Sequence, residues 1–570
     1  MNNPSRRRVL KVGTALGITG VLPFNTGTAL ARSSPDLEKF VQPLPIPDVR
    51  EPDGKRDGAD YYDVSVTQFT QSLHPDLPDT TLWGFDGQFP GPIIHARRNE
   101  RIKVRFDNSH LPTDHLLPVD ERISGANPDY DGSLPEVRTV THFHGLNVEP
   151  ESDGQAEMWT SPQGVTGPRF VKHVHDIPNR QSRLTSTYHD HTLGLSRLNV
   201  YAGLVGFYFI RSQVEEQLDL PNGEYDIPLL LQDRTFNEDG SLHYPESFEP
   251  NVAGDTAVIN GAVWPSLEVE PRRYRLRFIN ASNGRTYDLQ LEKESGTSVP
   301  VLYQFAAGHG FLERVVPIGP EGDLDSLLLG AFERGDVIVD FSDHAGETFT
   351  VTNDAPFPFK GLDDRDDHDE HDDPDGHSES GPSLDELLQI QVTDSSEASE
   401  DTGTNPTELR LPSSSEIDEH AAKETRRLTM DMQMDEGLHL LNGRRSYEET
   451  VIKPQLGTTE VWELENDTHH THPIHLHLVT FDVLGRGPDG SHDPDPNERV
   501  GKDTVRVNPD ETVRIAVQFG DFSGQFPWHC HVLEHEDHDM MRPFEVVTGD
   551  ADETGENREQ GAQNRPFLDG

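Results

Sequence analysis

The sequence predicts an all-β fold made of three related β-sandwich modules with Greek-key connections. Glycine and proline are abundant, at 48 and 43 of 570 residues, and no long segment has helical periodicity. Short stretches of alternating polar and apolar residues are separated by turns rich in Gly, Pro, Asn and Asp. This pattern is typical of sandwiches with many turns. The length is sufficient for several domains, each with its own core.

Three similar stretches support the division into modules. Residues 101–106 alternate charged and apolar side chains and run into Asn108, and residues 273–278 do the same and run into Asn280. A third stretch of this kind ends at residues 463–466. Self-similarity at a domain-sized spacing indicates one module that is repeated three times.

We therefore divide the chain into a leader, three modules, a linker and a tail. Residues 362–382 form an acidic, histidine-bearing insertion in the second module, which we interpret as a solvated loop rather than a metal buffer. The predicted boundaries are residues 1–31 for the leader, 32–212, 213–395 and 425–548 for the modules, 396–424 for a polar linker and 549–570 for a disordered tail.

The charge balance excludes one class of partner. Acidic residues number 101 against 48 Lys and Arg, which gives a formal net charge of −53. Nucleic-acid binding requires a positive footprint, so we exclude it. Self-repulsion on this scale destabilises a compact state at low salt, whereas molar salt shortens the screening length to ~3 Å. We interpret the acidity as the surface of a halophilic protein.

The first 31 residues predict export. Three consecutive arginines at residues 6–8 precede a mildly apolar stretch that ends in Ala-Leu-Ala at residues 29–31. This arrangement resembles a twin-arginine signal peptide, so we expect the twin-arginine export machinery as a partner and a secreted or extracytoplasmic location. Gly, Thr, Pro and Asn interrupt the apolar stretch, and we expect no permanent membrane span.

Cys530, the only cysteine in the chain, lies between His529 and His531. If this peptide is extended, alternation places both imidazoles on one face and the thiol on the other. His535 and Met540 follow shortly after. One thiolate, imidazole and a weak thioether are the ligand types of a blue-copper electron-transfer site, which needs one more histidine.

Other histidines share the same one-apart spacing. In a strand, residues one apart project from the same face, so each pair can present two imidazoles to one cavity. Two pairs lie in the first module and two in the third, so a site that uses all of them would lie between the terminal modules. The pairs are His142 and His144, His189 and His191, His475 and His477, and His529 and His531, with His472 as the candidate fourth member of the Cys530 group.

These motifs, in this order and spacing, resemble those of the multicopper oxidases. Three flanking segments are similar to the bacterial spore-coat laccase and bilirubin-oxidase-like group: Tyr-His-Asp-His at residues 188–191, Thr-His-Pro-Ile-His-Leu-His at 471–477 and His-Cys-His-Val-Leu-Glu-His-Glu-Asp at 529–537. The departures include the acidic insertion, the overall acidity and His538, where the group often has an aromatic residue. None of them removes a predicted ligand.

The resemblance implies three cupredoxin-like Greek-key β-sandwich domains, of which the middle one has no copper ligand. It also implies four copper ions: one type 1, one type 2 and two type 3. By the resemblance, the type 1 ligands are His472, Cys530, His535 and axial Met540. The type 2 ligands are His142 and His475, and the type 3 ligands are His144, His189, His191, His477, His529 and His531.

The expected activity is that of a laccase-like oxidase. It couples one-electron oxidation of phenolic or aromatic amine substrates to four-electron reduction of dioxygen to water, a reaction that consumes protons. Glu536, directly after a type 1 ligand, and Asp153, eleven residues after His142, are the candidate proton donors. In the resembled group these positions lie near the dioxygen path and the type 2 copper. Their position rather than the acidic composition selects them.

Two alternatives remain open at this point. The first is a metallo-oxidase acting on Cu(I) or Mn(II), for which Met430, Met432 and Met434 would form a soft docking patch, although methionines on one strand face are more typical of core packing. The second is a non-catalytic copper-binding scaffold. Scaffold relatives lose ligands, whereas this chain has the complete set.

Overall fold

The computed structural model confirms the all-β prediction. It describes residues 33–123, 125, 134–293, 299–362, 381–394, 403–413, 416–433, 438–446 and 452–549. The predicted leader, most of the acidic insertion, nearly all of the predicted tail and Met434 lie outside these residues.

Strands make up each of the three modules. The first contains β1 (Gly54–Arg56), β2 (Ala59–Gln71), β3 (Thr80–Phe85), β4 (Gly91–Arg97), β5 (Ile102–Asp107), β6 (Thr141–Phe143), β7 (Val174–Ile177), β8 (Leu184–Asp190) and β9 (Val205–Arg211). The second contains β10 (Asp226–Phe236), β11 (Leu242–His243), β12 (Thr256–Ile259), β13 (Ala262–Val263), β14 (Ser266–Val269), β15 (Arg273–Asn280), β16 (Tyr287–Lys293), β17 (Leu302–Ala307), β18 (Gly310–Ile318), β19 (Leu327–Leu329), β20 (Arg334–Asp340), β21 (Thr348–Asn353) and β22 (Glu386–Val392). The third contains β23 (Ala422–Gln433), β24 (Leu438–Leu441), β25 (Thr458–Asn466), β26 (His472–Leu476), β27 (Phe481–Gly485), β28 (Thr504–Val507), β29 (Thr512–Phe519), β30 (Gly524–Cys530) and β31 (Met541–Val546).

The α-helices of the described chain are short: α1 (Ser196–Ala202), α2 (Gln213–Glu216) and α3 (Leu533–His538). Within the described ranges, no helix has the length and apolar character needed to cross a bilayer.

Each module consists of two sheets. In the first module they run β1-β2-β5-β7, with β3 beside β2, and β4-β9-β8-β6. In the second they run β13-β12-β10-β15-β20-β17-β18, with β11 beside β10, and β14-β22-β21-β16-β19. In the third they run β24-β23-β25-β29-β27 and β28-β26-β30-β31.

The three similar stretches occupy the same position in their modules. They form β5, β15 and β25, and each runs parallel to the first long strand of its module, β2, β10 or β23. A buried asparagine at the end of each stretch binds the loops that follow. Asn108 donates to Thr139 Oγ1 and Thr160 O, Asn280 to Arg285 O and Leu329 O, and Asn466 to His470 O and Val507 O.

Two large hydrophobic cores hold the modules. One runs through the first and second modules, and the other fills the third. The third-module core contains Trp462, Trp528, Cys530 and Met540, all fully buried. Met430 is fully buried in the same core. It therefore packs as a core residue and does not form a surface patch for metal ions.

Part of the predicted linker packs on the second module. Leu409 is buried in a small apolar cluster with Phe305 and Phe311. The carbonyl of Gly403 accepts a hydrogen bond from Arg273, 2.7 Å away. The described part of this segment is therefore attached to the second module, and the domain boundaries themselves stay predictions.

A buried ion network joins the first two modules, since Arg183 of the first contacts Asp336 of the second at 2.5 Å. Arg275 and Arg277 of β15 are almost fully buried, although the alternating pattern of this strand suggests a solvent-facing charged side. Arg275 contacts Asp336 at 2.6 Å and Glu215 at 2.7 Å, and Arg277 binds Asp226 through two bonds of 2.6 and 2.7 Å. Burial alone would raise the pKa values of these carboxyls. The neighbouring guanidiniums outweigh it and lower the pKa of Glu215 and of Asp336 to about 2.

We expect Asp336→Asn to destabilise the chain by roughly 3–5 kcal/mol, because it leaves buried guanidiniums without their counter-charge. The midpoint of chemical denaturation measures this effect. Asp60→Asn is the control, because Asp60 pairs with the exposed Lys55 and such pairs contribute about 1 kcal/mol or less. Equal midpoints for the two variants would contradict the prediction.

The same network gives a pH dependence. Since the pKa values of Glu215 and Asp336 are lower in the folded chain, their contribution to stability is complete above about pH 4.5 and is lost as pH falls toward about 2. Denaturation midpoints measured across this interval should decline in the wild type and decline less in Asp336→Asn.

Candidate metal centre

Two pairs of antiparallel strands carry the predicted ligands. In the first module β6 and β8 place His142 directly opposite His189, and in the third module β26 and β30 place His475 opposite His529. Residues opposite each other in such a pair share one face, so each module presents its imidazoles together. The second histidine of every pair lies one residue beyond the end of its strand: His144, His191, His477 and His531.

These eight histidines are buried, and the structure brings them into three groups. The ligand atoms within each group lie within 4.8 Å of one another. Every group takes rings from both terminal modules, so neither module forms the cluster alone. The groups are His142 with His475 and His477, His144 with His189 and His531, and His191 with His477 and His529. The two histidines predicted for type 2, His142 and His475, are together in one group, and His477 belongs to that group as well as to the group of His191 and His529.

Backbone carbonyls fix the orientation of four of these rings. In each ring Nδ1 donates to a backbone carbonyl. The pairs are His142 to Asp153 (2.6 Å), His189 to Asp190 (2.9 Å), His475 to Asp503 (2.7 Å) and His529 to Cys530 (3.0 Å). The Nε2 atom of each ring is then left for the cluster. Hydrogen bonds of this kind on the far nitrogen are typical of metal-binding histidines.

The protonation states fit a metal site. Burial lowers the pKa values of His142, His189 and His475 well below their usual range, so these rings are neutral and have a free lone pair. Among the described residues, no group hydrogen-bonds to the buried Nε2 atoms of these three histidines. Metal ions bound in the group of His142 and His475 and in the group of His189 would satisfy these atoms.

The sulfur of Cys530 points away from this cluster, as alternation predicts. Its Sγ is 3.4 Å from Nδ1 of His472 and 3.8 Å from Nδ1 of His535, and these two nitrogens are 3.2 Å apart. Met540 lies beside them: its carbonyl accepts from the amide of Cys530 at 3.0 Å, and its amide donates to the carbonyl of His535 at 2.9 Å. The predicted ligands His472, Cys530 and His535 therefore lie together, and the backbone of Met540 lies beside them. Burial raises the pKa of the Cys530 thiol, so a thiolate here requires a cation to balance it.

Glu536 lies between two of the clustered rings. Its Oε2 atom is 3.1 Å from Nδ1 of His529, and its Oε1 atom is 3.7 Å from Nδ1 of His191. Burial favours the neutral acid, but the attraction of these rings outweighs burial and lowers the pKa of this carboxyl. The side chain is in position to orient both rings.

Asp153 contacts other rings of the cluster. Its Oδ2 atom accepts from Nδ1 of His477 at 2.9 Å, and its backbone carbonyl accepts from His142. Burial raises the pKa of this carboxyl well above its usual range. The two predicted carboxylates thus contact different rings, and their pKa values are shifted in opposite directions.

The sequence interpretation missed Asp503. One of its carboxylate oxygens is 3.0 Å from Nε2 of His144, and its carbonyl binds His475. Arg334 of the middle module holds the same carboxylate through two bonds of 2.6 Å. Gly145 has φ +78°, and a Cβ at this position would collide with Asp503. No spacing motif marks Asp503 or Arg334, because the chain separates them from the ligands that they support.

Comparisons with known proteins point to one family. Two family models described as multicopper oxidase match residues 67–135 and 412–550. A laccase of Haloferax volcanii is 58% identical, over 98% of this chain and 93% of that protein. A laccase of Bacillus subtilis is 40% identical, over 90% of this chain and 99% of that protein. The crystal structure of a laccase from Pediococcus acidilactici Pa5930 has a TM-score of 0.69 and 26% identity, over 90% of this chain and 95% of that chain.

Copper is the cofactor that such relatives imply, and buried neutral imidazoles with one thiol are donors that suit it. The similarity to the two laccases extends over nearly the whole chain. The chain belongs to the multicopper oxidase family.

Proposed function

We propose that this chain is a laccase-like oxidase that couples one-electron oxidation of phenolic or aromatic amine substrates to the four-electron reduction of dioxygen to two waters. The placement of Cys530 is the observation that carries this proposal. Its sulfur faces His472 and His535, whereas its neighbours His529 and His531 belong to the eight-histidine cluster. One peptide segment therefore connects a site for single electrons to a site large enough for several metal ions.

The proposed complement is one type 1, one type 2 and two type 3 copper ions. Copper, when bound, takes up single electrons at the type 1 position and provides the reducing equivalents for dioxygen at the eight-histidine cluster. We assign type 1 to His472, Cys530, His535 and Met540, type 2 to His142 and His475, and type 3 to His144, His189, His191, His477, His529 and His531.

The chain orients the ligand rings, isolates the donors from bulk water and connects the two groups of donors. Carbonyl groups hold Nδ1 of His142, His189, His475 and His529, so the rings need little rearrangement when they bind metal. The two groups of donors are buried, which excludes bulk water from partly reduced oxygen species. The covalent path from Cys530 to either neighbouring imidazole is on the order of 10 Å.

We propose that Glu536 and Asp153 hold and pass the protons that dioxygen reduction consumes. This proposal rests on position. Glu536 Oε2 is 3.1 Å from His529, and Asp153 Oδ2 is 2.9 Å from His477, so both carboxylates reach rings of the cluster. They contact different rings and can serve different steps.

We also propose export through the twin-arginine machinery, a secreted or extracytoplasmic location and a halophilic habit. The arginine-bearing leader at residues 1–31 supports export, and the net charge of −53 supports a saline environment. The similarity to a laccase of Haloferax volcanii is consistent with this.

The first test is to purify the protein at high salt with copper and to measure copper per chain and oxygen uptake with a phenolic substrate. We expect about four copper ions per chain, a blue absorption band and oxygen consumption without release of hydrogen peroxide. Fewer than about three ions, or no oxygen uptake from the loaded protein, would contradict an oxidase and favour a scaffold.

Cys530→Ser separates the two groups of donors. We expect it to abolish the blue band and substrate oxidation and to lower the copper content by about one ion per chain, because a hydroxyl is a poor ligand for a soft site. The electron paramagnetic resonance signal of type 2 copper should persist, since its proposed ligands are unchanged. Loss of all copper would show that the two groups do not fill independently.

Glu536→Gln tests the proposed proton donor. We expect reoxidation of the reduced enzyme by dioxygen to slow by about 10- to 100-fold while the blue band persists, because the amide cannot hold or pass a proton at this position. Stopped-flow absorption measures the reoxidation rate. Glu534→Gln is the matched control, since Glu534 is equally buried on α3 but contacts Tyr244 and Asn283 instead. Unchanged reoxidation in Glu536→Gln would exclude the role.

A further inference from the structure

A third set of buried imidazoles shares His535 with the type 1 quartet, and its other two members have no role in the proposed reaction. His439 on β24, His470 in the loop before β26, and His535 can each offer one nitrogen, and these atoms lie within 4.8 Å of one another. All three side chains are buried, with exposures of 0%, 6% and 0%. Neither His439 nor His470 belongs to a one-apart pair that is assigned to copper.

The geometry of this trio resembles that of the proposed copper groups. The rings of His439 and His535 stack with centroids 4.1 Å apart and planes 17° apart. Within the eight-histidine cluster, His142 and His477, which belong to one group of donors, stack at 3.9 Å and 27°. A similar ring arrangement therefore occurs where metal ions are expected.

The ring nitrogens of His439 are buried and lack hydrogen-bond partners among the described residues. The far nitrogen of His535, Nε2, is likewise without a hydrogen-bond partner among the described residues, whereas its Nδ1 faces Cys530. Leaving such a buried polar atom unsatisfied costs about 1–3 kcal/mol. Packing alone would be served better by an apolar side chain at position 439.

The surroundings favour a cation. Asp467, in the loop that leads to His470, interacts electrostatically with the carboxylates of Glu465, Asp431 and Asp510. Negative potential raises the local concentration of cations at the surface next to the trio. Three imidazoles select late transition metals over the oxygen-preferring Mg²⁺ and Ca²⁺.

We propose that His439, His470 and His535 form an additional metal site for a late first-row transition-metal cation of the Zn²⁺ or Cu⁺ kind, adjoining the type 1 group. His535 would contribute Nδ1 to the type 1 copper and Nε2 to the additional ion, which displaces the Nε2 proton to solvent so that the ring bridges the two ions as an imidazolate. An ion at this site is thereby coupled to the type 1 copper through one ring. The role of His535 as a shared ligand rests on the proposed function.

The test adds Zn²⁺ to the copper-loaded enzyme. Zn²⁺ is colourless and redox-inert, so it neither reacts with dioxygen nor hides the blue band. Excess Ca²⁺ in the buffer occupies surface carboxylates, which prefer this ion, and leaves the imidazoles free. Equilibrium dialysis with elemental analysis gives the ions bound per chain, and absorption spectroscopy follows the blue band.

We expect one Zn²⁺ per chain in addition to the copper, together with a shift of the blue band on binding. His439→Leu and His470→Ala should each weaken Zn²⁺ binding by at least about tenfold, since even residues that only orient metal ligands typically change affinity 10- to 100-fold. His469→Ala is the matched control, because His469 is the exposed sequence neighbour of His470. The copper content of each variant reports whether it is folded.

Three results would overturn the proposal: no additional Zn²⁺ in the copper-loaded enzyme, equal Zn²⁺ binding in both variants and the control, or binding without any change of the blue band. Failure of the proposed function is a different result, because it appears as missing copper or missing oxygen uptake before Zn²⁺ is added.

Discussion

Eight imidazoles share one buried space, and the rest of the structure depends on giving both nitrogens of each ring a partner. Each ring must turn one nitrogen inward, and its other nitrogen must be satisfied elsewhere, because an unsatisfied polar atom in a dry interior is costly. Carbonyl groups of residues close to the ligands meet this demand for four rings, and Asp153 and Asp503 meet it for His477 and His144. Burial lowers the pKa values of His142, His189 and His475, which keeps these three rings neutral. The metal donors and the fold that presents them are therefore parts of one hydrogen-bond arrangement.

The strand geometry explains why short sequence motifs suffice to bring the histidines together. A histidine pair with one residue between uses the two-residue period of a strand, and the pairing of β6 with β8 and of β26 with β30 doubles each pair across the sheet. The same period turns the sulfur of Cys530 toward His472 and His535 while its neighbours join the cluster. The copper-free middle module keeps the sandwich architecture but contributes Arg334, which reaches the cluster through Asp503.

Local patterns were enough to predict the all-β fold, the three similar strands and the convergence of the histidine pairs, because period and spacing are properties of short stretches. The resemblance to the multicopper oxidases, together with the positions of Glu536 and Asp153 in the sequence, predicted that these carboxylates lie near the rings. Local patterns were not enough for Asp503, Arg334 or His439, whose positions depend on contacts between distant segments. The same limit applies to β15, where alternation predicts an amphipathic strand but does not reveal that its arginines are buried between modules. Burial of a charged face is decided by the neighbouring module.

The bond between Arg334 and Asp503 gives the middle module an unusual kind of influence. Arg334 belongs to a module without metal donors, and it binds the carboxylate of Asp503. Because Asp503 in turn binds His144 and His475, a residue outside the terminal modules stabilises the positions of these ligands. A genetic lesion in the middle module would then present as a copper deficiency although every ligand codon is intact. A shortened protein from which the middle module is excised would also lose Arg334, and with it the ion pair that supports the metal-binding geometry.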